Sequence, residues 1–197
     1  MMLLALDTTA AVATAALFHD GVLVAEREAD AGKKHAETAL PLIEALLEEN
    51  GVSIDQIDQF AVDIGPGSFT GVRIGVSLIN ALAFASGKDV VPVDSLETLA
   101  RSVAETDQPV CAMIDARNGN AYAALYQSGE TKIEPCAIEI APFIATLPVD
   151  TIFVGDANVD EKTYPRTRFV GMIAMNRQEA ALPEVEPMYL RPSQAER

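Results

Sequence analysis

Short apolar runs bounded by turn residues alternate with stretches of three-to-four-residue periodicity, so the chain reads as strands interleaved with helices. Leu3 to Leu6, Val12 to Phe18 and Val22 to Glu28 are runs of strand length, separated by Thr8-Thr9 and by Asp20-Gly21. The second separator is a strong hairpin signal. From about residue 36 to 49, Ala36, Leu40, Ile43, Leu46 and Leu47 recur at helical spacing with Glu37, Glu44 and Glu48 opposite them. Asn50-Gly51 stops this amphipathic helix, and Pro41 fits only near its first turn. Phe60 to Ile64 reads as a strand, Gly71 to Ser86 as a helix ending at Gly87, Val90 to Val93 as a strand and Ser95 to Ala104 as a helix. That order describes a mixed sheet with helices packed on it, an α/β arrangement.

After Asp107-Gln108-Pro109 the pattern restarts. Val110 to Asp115, Ala121 to Tyr126 and Thr131 to Ile140 form three more strand-like runs, with Asn118-Gly119 and Ser128-Gly129 as turns. A short helix near Pro142 to Thr146 and a strand at Thr151 to Gly155 follow, and the remainder is poorly patterned. Two lobes that each open with a hairpin suggest an internal duplication, with lobes expected at 1–106 and 107–197.

The junction between the fourth strand and its helix is the most distinctive segment: Gly65-Pro66-Gly67-Ser68-Phe69-Thr70-Gly71-Val72-Arg73-Ile74-Gly75. Two glycines around a proline force a sharp bend. Ser68 or Thr70 can cap the helix behind it, whose first N–H groups would make an anion cradle. Close packing of strand on helix explains the same glycines, and no Gly-Lys-Ser/Thr follows to make a phosphate loop of the nucleotide-binding kind. Along the helix, Val72, Ile74, Val76, Leu78, Ile79, Ala81, Leu82, Ala83 and Ala85 occupy an arc of about 220°, whereas one sheet-facing stripe needs only about 100°. The excess must be covered, either by the 36–49 helix or by a partner.

Composition narrows the chemistry. The 197 residues are 49% hydrophobic, enough to bury a core in one domain or two small lobes. No uninterrupted apolar run approaches the ~20 residues of a membrane helix, and the first ten residues read as a strand rather than a signal peptide, so a cytoplasmic protein is expected. The two cysteines, Cys111 and Cys136, form no Cys-x-x-Cys pair and read as buried thiols. His35, beside Lys33, Lys34 and Glu37 at a helix start, reads as a capping or surface residue. A net charge of −15 disfavours direct binding of a phosphate backbone and suits either plain solubility or a basic protein partner.

The junction segment closely resembles the signature of the TsaB (YeaZ) family, which is required for making threonylcarbamoyladenosine in transfer RNA. Leu4-Ala5-Leu6-Asp7-Thr8-Thr9, His35-Ala36-Glu37, Asp94-Ser95-Leu96-Glu97, Ile114-Asp115-Ala116-Arg117 and Pro187-Met188-Tyr189-Leu190-Arg191 match further landmarks in family order. The resemblance is strong over roughly 1–128 and the tail and weak between about 129 and 186. It implies an actin-like, ribonuclease-H-like fold of two lobes, the second reduced. In that superfamily the positions of Asp7, Thr8 and Asp115 lie near nucleotide phosphates and metal, although Asp7 before Thr8-Thr9 equally suits a side chain that stabilises its own turn. The catalytic relative TsaD carries a His-Met-Glu-Gly-His metal motif where this chain has Ser95-Leu96-Glu97-Thr98-Leu99, so no metal or other cofactor is expected in the isolated chain and ATP and metal are expected in partner subunits. The resemblance therefore implies a non-catalytic subunit that dimerises with TsaD and works with the ATPase TsaE; the −15 charge leaves tRNA to be met only through the complex, and the wide apolar arc of the 71–86 helix predicts a homodimer when the chain is alone. Leu40, Ile43, Leu47, Val72, Val76, Ile79 and Ala83 are the expected interface. The alternative is an enzyme: a peptidase acting on TsaD, or a weak nucleotide hydrolase using Asp7 and Asp115.

Overall fold

The computed structural model describes residues 1–32 and 34–190; Lys33 and Arg191 of the tail motif lie outside the described residues. In chain order come β1 (Met2–Asp7), β2 (Val12–His19), β3 (Val22–Asp30), α1 (His35–Glu49), β4 (Gln59–Asp63), α2 (Phe69–Ser86), β5 (Val90–Val93) and α3 (Ser95–Arg101). They are followed by β6 (Val110–Arg117), β7 (Asn120–Gln127), β8 (Glu130–Glu139), α4 (Ile140–Ile144), β9 (Ile152–Gly155) and α5 (Thr167–Met175). The strands form a five-stranded sheet ordered β3-β2-β1-β4-β5 and a four-stranded sheet ordered β8-β7-β6-β9. Each sheet begins as an antiparallel meander and continues by a parallel neighbour of its first strand, β4 beside β1 and β9 beside β6. The two mixed sheets with packed helices, built to one repeated plan, are the two-lobed α/β arrangement that the sequence pattern suggested.

Period-two alternation distributes β1 between two layers. Leu4 and Leu6 join Leu42, Ile43, Leu46 and Leu47 of α1 and Val72, Val76, Ile79 and Ala83 of α2 in one core cluster. Leu3 and Ala5 face the opposite way, onto Val170, Ile173 and Ala174 of α5. Helix α5 falls in the stretch that the sequence left unpatterned, and Gly171 lets it sit on β2: a Cβ there would stand 2.0 Å from Cε2 of Phe18. In the other sheet, Leu96 and Leu99 of α3 pack on Val110, Ala112, Ala124 and Val154.

These contacts redraw the expected boundary. The first compact unit is Met1–Asp94 with Arg166–Met188, and the second runs from Ser95 to Pro165 and resumes at Tyr189. The lobes expected at 1–106 and 107–197 miss this division, because α3 belongs to the sheet that follows it and α5 returns to the first sheet. Helix α2 is long and apolar enough by composition to cross a membrane, which the reading of short apolar runs did not anticipate. Its inner row is buried in the first unit's core, while only 33% of the helix lies inside the structure.

Candidate functional site

At the carboxyl ends of β1 and β4 two turns interlock. Asp7 Oδ1 accepts a hydrogen bond from Thr9 N at 2.7 Å, and Asp63 Oδ1 accepts one from Gly65 N at 2.9 Å. Across the turns, Ser68 N donates to the Thr9 carbonyl at 2.8 Å and Thr8 Oγ1 donates to the Gly71 carbonyl at 2.7 Å. The signature glycines are the seats for this contact. A Cβ on Gly67 would lie 2.7 Å from Thr9 O, one on Gly71 2.0 Å from Thr8 O, and one on Gly75 2.3 Å from Thr8 Oγ1. Gly65, at a φ of +99°, is followed by a cis bond to Pro66, and Met188 N donates to Ile64 O at 2.7 Å on the outer side. Phe69 and Thr70 open α2 and are exposed. Ser68 is the cap, its Oγ accepting from Gly71 N at 3.3 Å. The space in front of α2 is therefore filled by Thr8 and Thr9, and close packing accounts for the glycines where an anion cradle was the other expectation.

The carboxylates behave as turn holders. Asp115 Oδ1 accepts from Arg117 N at 2.8 Å, the same two-residue span as Asp7 to Thr9, and Arg117, Asn118 and Gly119 all take positive φ. Asp115 N donates to Asp156 Oδ1 at 2.7 Å. Asp7 and Asp115 belong to different compact units. Asp7 and Thr8 are fully buried and committed to their turn, and among the described residues no group of three His, Cys, Asp or Glu side chains is arranged to hold a metal ion. Burial pushes the Asp7 carboxyl up to about 6, against the two hydrogen bonds from Thr9 that favour its charged form.

Several expectations need correction. His35 is neither a cap nor a surface residue: it is buried at the first position of α1, its Nδ1 has no hydrogen-bond partner among the described residues, and burial lowers its pKa. Of the seven residues expected at a partner interface, Ile43, Leu47, Val72, Val76, Ile79 and Ala83 are buried in the chain's own core, and only Leu40 is exposed. The reason is the phase of α2. Gly71 and Gly75 rest on Thr8 and turn the 72-76-79-83 row inward, so the outer face carries Phe69, Arg73, Ser77, Ala81, Phe84 and Ala85. Phe84 is 87% exposed, and the Arg73 guanidinium stacks 4.0 Å from the centre of the Phe69 ring. Asn80 is also withdrawn from the outer face: its amide donates to Val185 O at 2.8 Å and accepts from Val185 N at 3.1 Å. Phe84, a large aromatic outside the apolar arc of the helix, was the signal in the sequence for this face.

A family model described as TsaD: tRNA N6-adenosine threonylcarbamoyltransferase matches residues 28–184. The chain is similar to the tRNA threonylcarbamoyladenosine biosynthesis protein TsaB of Escherichia coli, at 36% identity over 68% of this chain and 58% of that protein. It is likewise similar to TsaB of Bacillus subtilis, at 36% identity over 64% of this chain and 56% of that protein, so the matched part spans little more than half of these relatives. Among solved structures, YeaZ from Pseudomonas aeruginosa superposes with a TM-score of 0.79 at 29% identity, covering 95% of this chain and all of that one. A second, described as an uncharacterized protein with similarity to peptidase YEAZ from Pseudomonas aeruginosa, superposes with a TM-score of 0.84 at 29% identity over 96% of this chain and 99% of that one.

Proposed function

Because the chain belongs to the TsaD family, and within it to the TsaB (YeaZ) family, we propose that it is a non-catalytic subunit in the formation of threonylcarbamoyladenosine in tRNA, docking on the catalytic TsaD subunit through the outer face of α2 and the neighbouring part of α1. The observation that carries this reading is the exposed apolar face itself. Phe84 at 87% exposure, Phe69 at 39% and Leu40 at 40% stand outside the core, with Ala81 and Ala85 beside Phe84. Aromatic anchors on a face of small residues are what an interface needs to bury. Around them α1 presents Glu37, Glu44 and Glu48, which suit a basic rim on the partner.

In this role the chain holds its partner in an active arrangement and supplies none of the reacting groups, while ATP, metal and the contact with tRNA come from TsaD and the ATPase TsaE. Ser68, the hydroxyl that a peptidase reading would use, is engaged as a helix cap. Alone, two copies would cover the same face by twofold pairing. The test is reconstitution of threonylcarbamoyladenosine formation on unmodified tRNA by TsaD and TsaE with ATP and a threonylcarbamoyl donor, with and without this chain. Modified adenosine is expected only when the chain is present, with no ATP turnover by the chain alone. Full modification without it would refute the proposal.

A further inference from the structure

Where the tip of the β2–β3 hairpin, the start of the chain and the carboxyl end of α5 meet, they enclose a cavity of about 460 Å³. Met1, Met172 and Met175 line it together with Asp20, Gly21, Asn176 and Gln178. Three of the chain's six methionines are gathered here. A ligand pocket is ordinarily walled by aliphatic and aromatic side chains. On this wall, among the described residues, every apolar side chain is a thioether.

Local structure brings each of the three to this place. Met172 and Met175 stand three residues apart on α5, which puts them on one side of the helix. Gly171 seats that helix against Phe18 of the same hairpin. Met1 is pinned to the hairpin tip, its carbonyl accepting from Asp20 N at 2.9 Å. Gln178, just beyond α5, donates from Nε2 to Met1 Sδ at 3.3 Å, so the sulfur itself is turned toward the side chains of the wall. Met172 is 50% exposed and Met1 37%, which leaves a small solute a way in. The unbranched methionine arms have three rotatable bonds each, so the sulfurs can close on a ligand without moving the backbone.

We propose that Met1, Met172 and Met175 form a thioether site for a soft monovalent metal ion, copper(I) or its redox-stable counterpart silver(I). Thioether sulfurs are neutral and need no deprotonation, and as soft donors they select copper(I) over magnesium, calcium or manganese, which take carboxylate and carbonyl oxygens. The position suits a cation, because the helix dipole places partial negative charge at the carboxyl end of α5. Asp20 on the rim is already paired with the amine of Met1, so the sulfurs and the helix end, not a carboxylate, choose the ligand.

The test is a silver(I) titration of the full chain, followed by nuclear magnetic resonance of the methionine methyl groups. The resonances of Met1, Met172 and Met175 are expected to move together and to saturate at about one ion per site, while those of Met2, Met113 and Met188 stay in place. A parallel titration of Cys136→Ala, which removes the half-buried thiol, should show the same three methyls moving. Met172→Leu and Met175→Leu keep the side-chain volume and remove one sulfur each. Each should weaken silver(I) binding, and copper(I) binding measured against a chromogenic chelator, by roughly tenfold or more with a nearly unchanged melting temperature. Should either variant not fold, the pattern of methyl shifts in the wild type decides alone. Methyls that stay in place or move no more than those of Met2, Met113 and Met188, shifts that vanish in Cys136→Ala, or binding indifferent to both leucine variants would overturn the thioether site. None of these readouts involves a partner chain, so they are independent of the docking role of α2.

Discussion

Gly71 has no room for a side chain because the obstacle is backbone: an added Cβ would meet the Thr8 carbonyl oxygen at 2.0 Å. At Gly75 the nearest obstacle is the Thr8 hydroxyl, at 2.3 Å, which a substitution can remove. Gly71→Ala should therefore cost about 3 kcal/mol, at the upper end for an overpacked site, whatever stands at position 8. Gly75→Ala should be partly rescued by Thr8→Ala, with a coupling of about 1 kcal/mol in a double-mutant cycle followed by urea unfolding. Equal behaviour of the two glycines would contradict this account of the loop. The glycines were conspicuous in the sequence, but their purpose was not: which backbone approaches them depends on pairing between segments more than fifty residues apart. The turn-holding role of Asp7 was legible, since Asp followed by two threonines can bond its own backbone locally. The burial of His35 was not, because its charged neighbours in sequence say nothing about what covers the imidazole.

At the scale of elements, the succession of strands along the chain and most helix positions could be read from periodicity, while the phase of α2 could not. Its apolar arc is wider than the buried stripe, and only the glycine seats decide which edge of the arc turns inward. The expected interface row was consequently the core row. Val76→Glu should now prevent folding, since it buries a charge among Leu4, Leu6 and Ile79, whereas Ala81→Glu should leave the melting temperature nearly unchanged. Circular dichroism melts separate the two outcomes. Helix α5 escaped notice because it is short and its partners, Leu3, Phe18 and Val91, lie far away in sequence. Its seat on Phe18 predicts that Gly171→Leu lowers stability by 1–3 kcal/mol or more. An unchanged unfolding midpoint would show that α5 does not rest there.

For the whole molecule, charge and duplication were visible before the structure, and the crossing of the chain between units was not. A formal charge of −15 predicts that the chain alone binds tRNA weakly at physiological salt; tight, salt-sensitive binding in a filter assay would contradict that. The same charge directs attention to a protein partner and to the patch that such a partner would cover. Phe84 is the most exposed large apolar side chain of that patch, so its replacement tests the docking role most directly. Calorimetric titration of TsaD with the wild type and with Phe84→Glu should show an affinity loss of about tenfold or more, with an unchanged melting temperature and a lower mass for the isolated variant by light scattering. A folded Phe84→Glu chain that binds TsaD as tightly as the wild type would place the partner elsewhere and contradict the account.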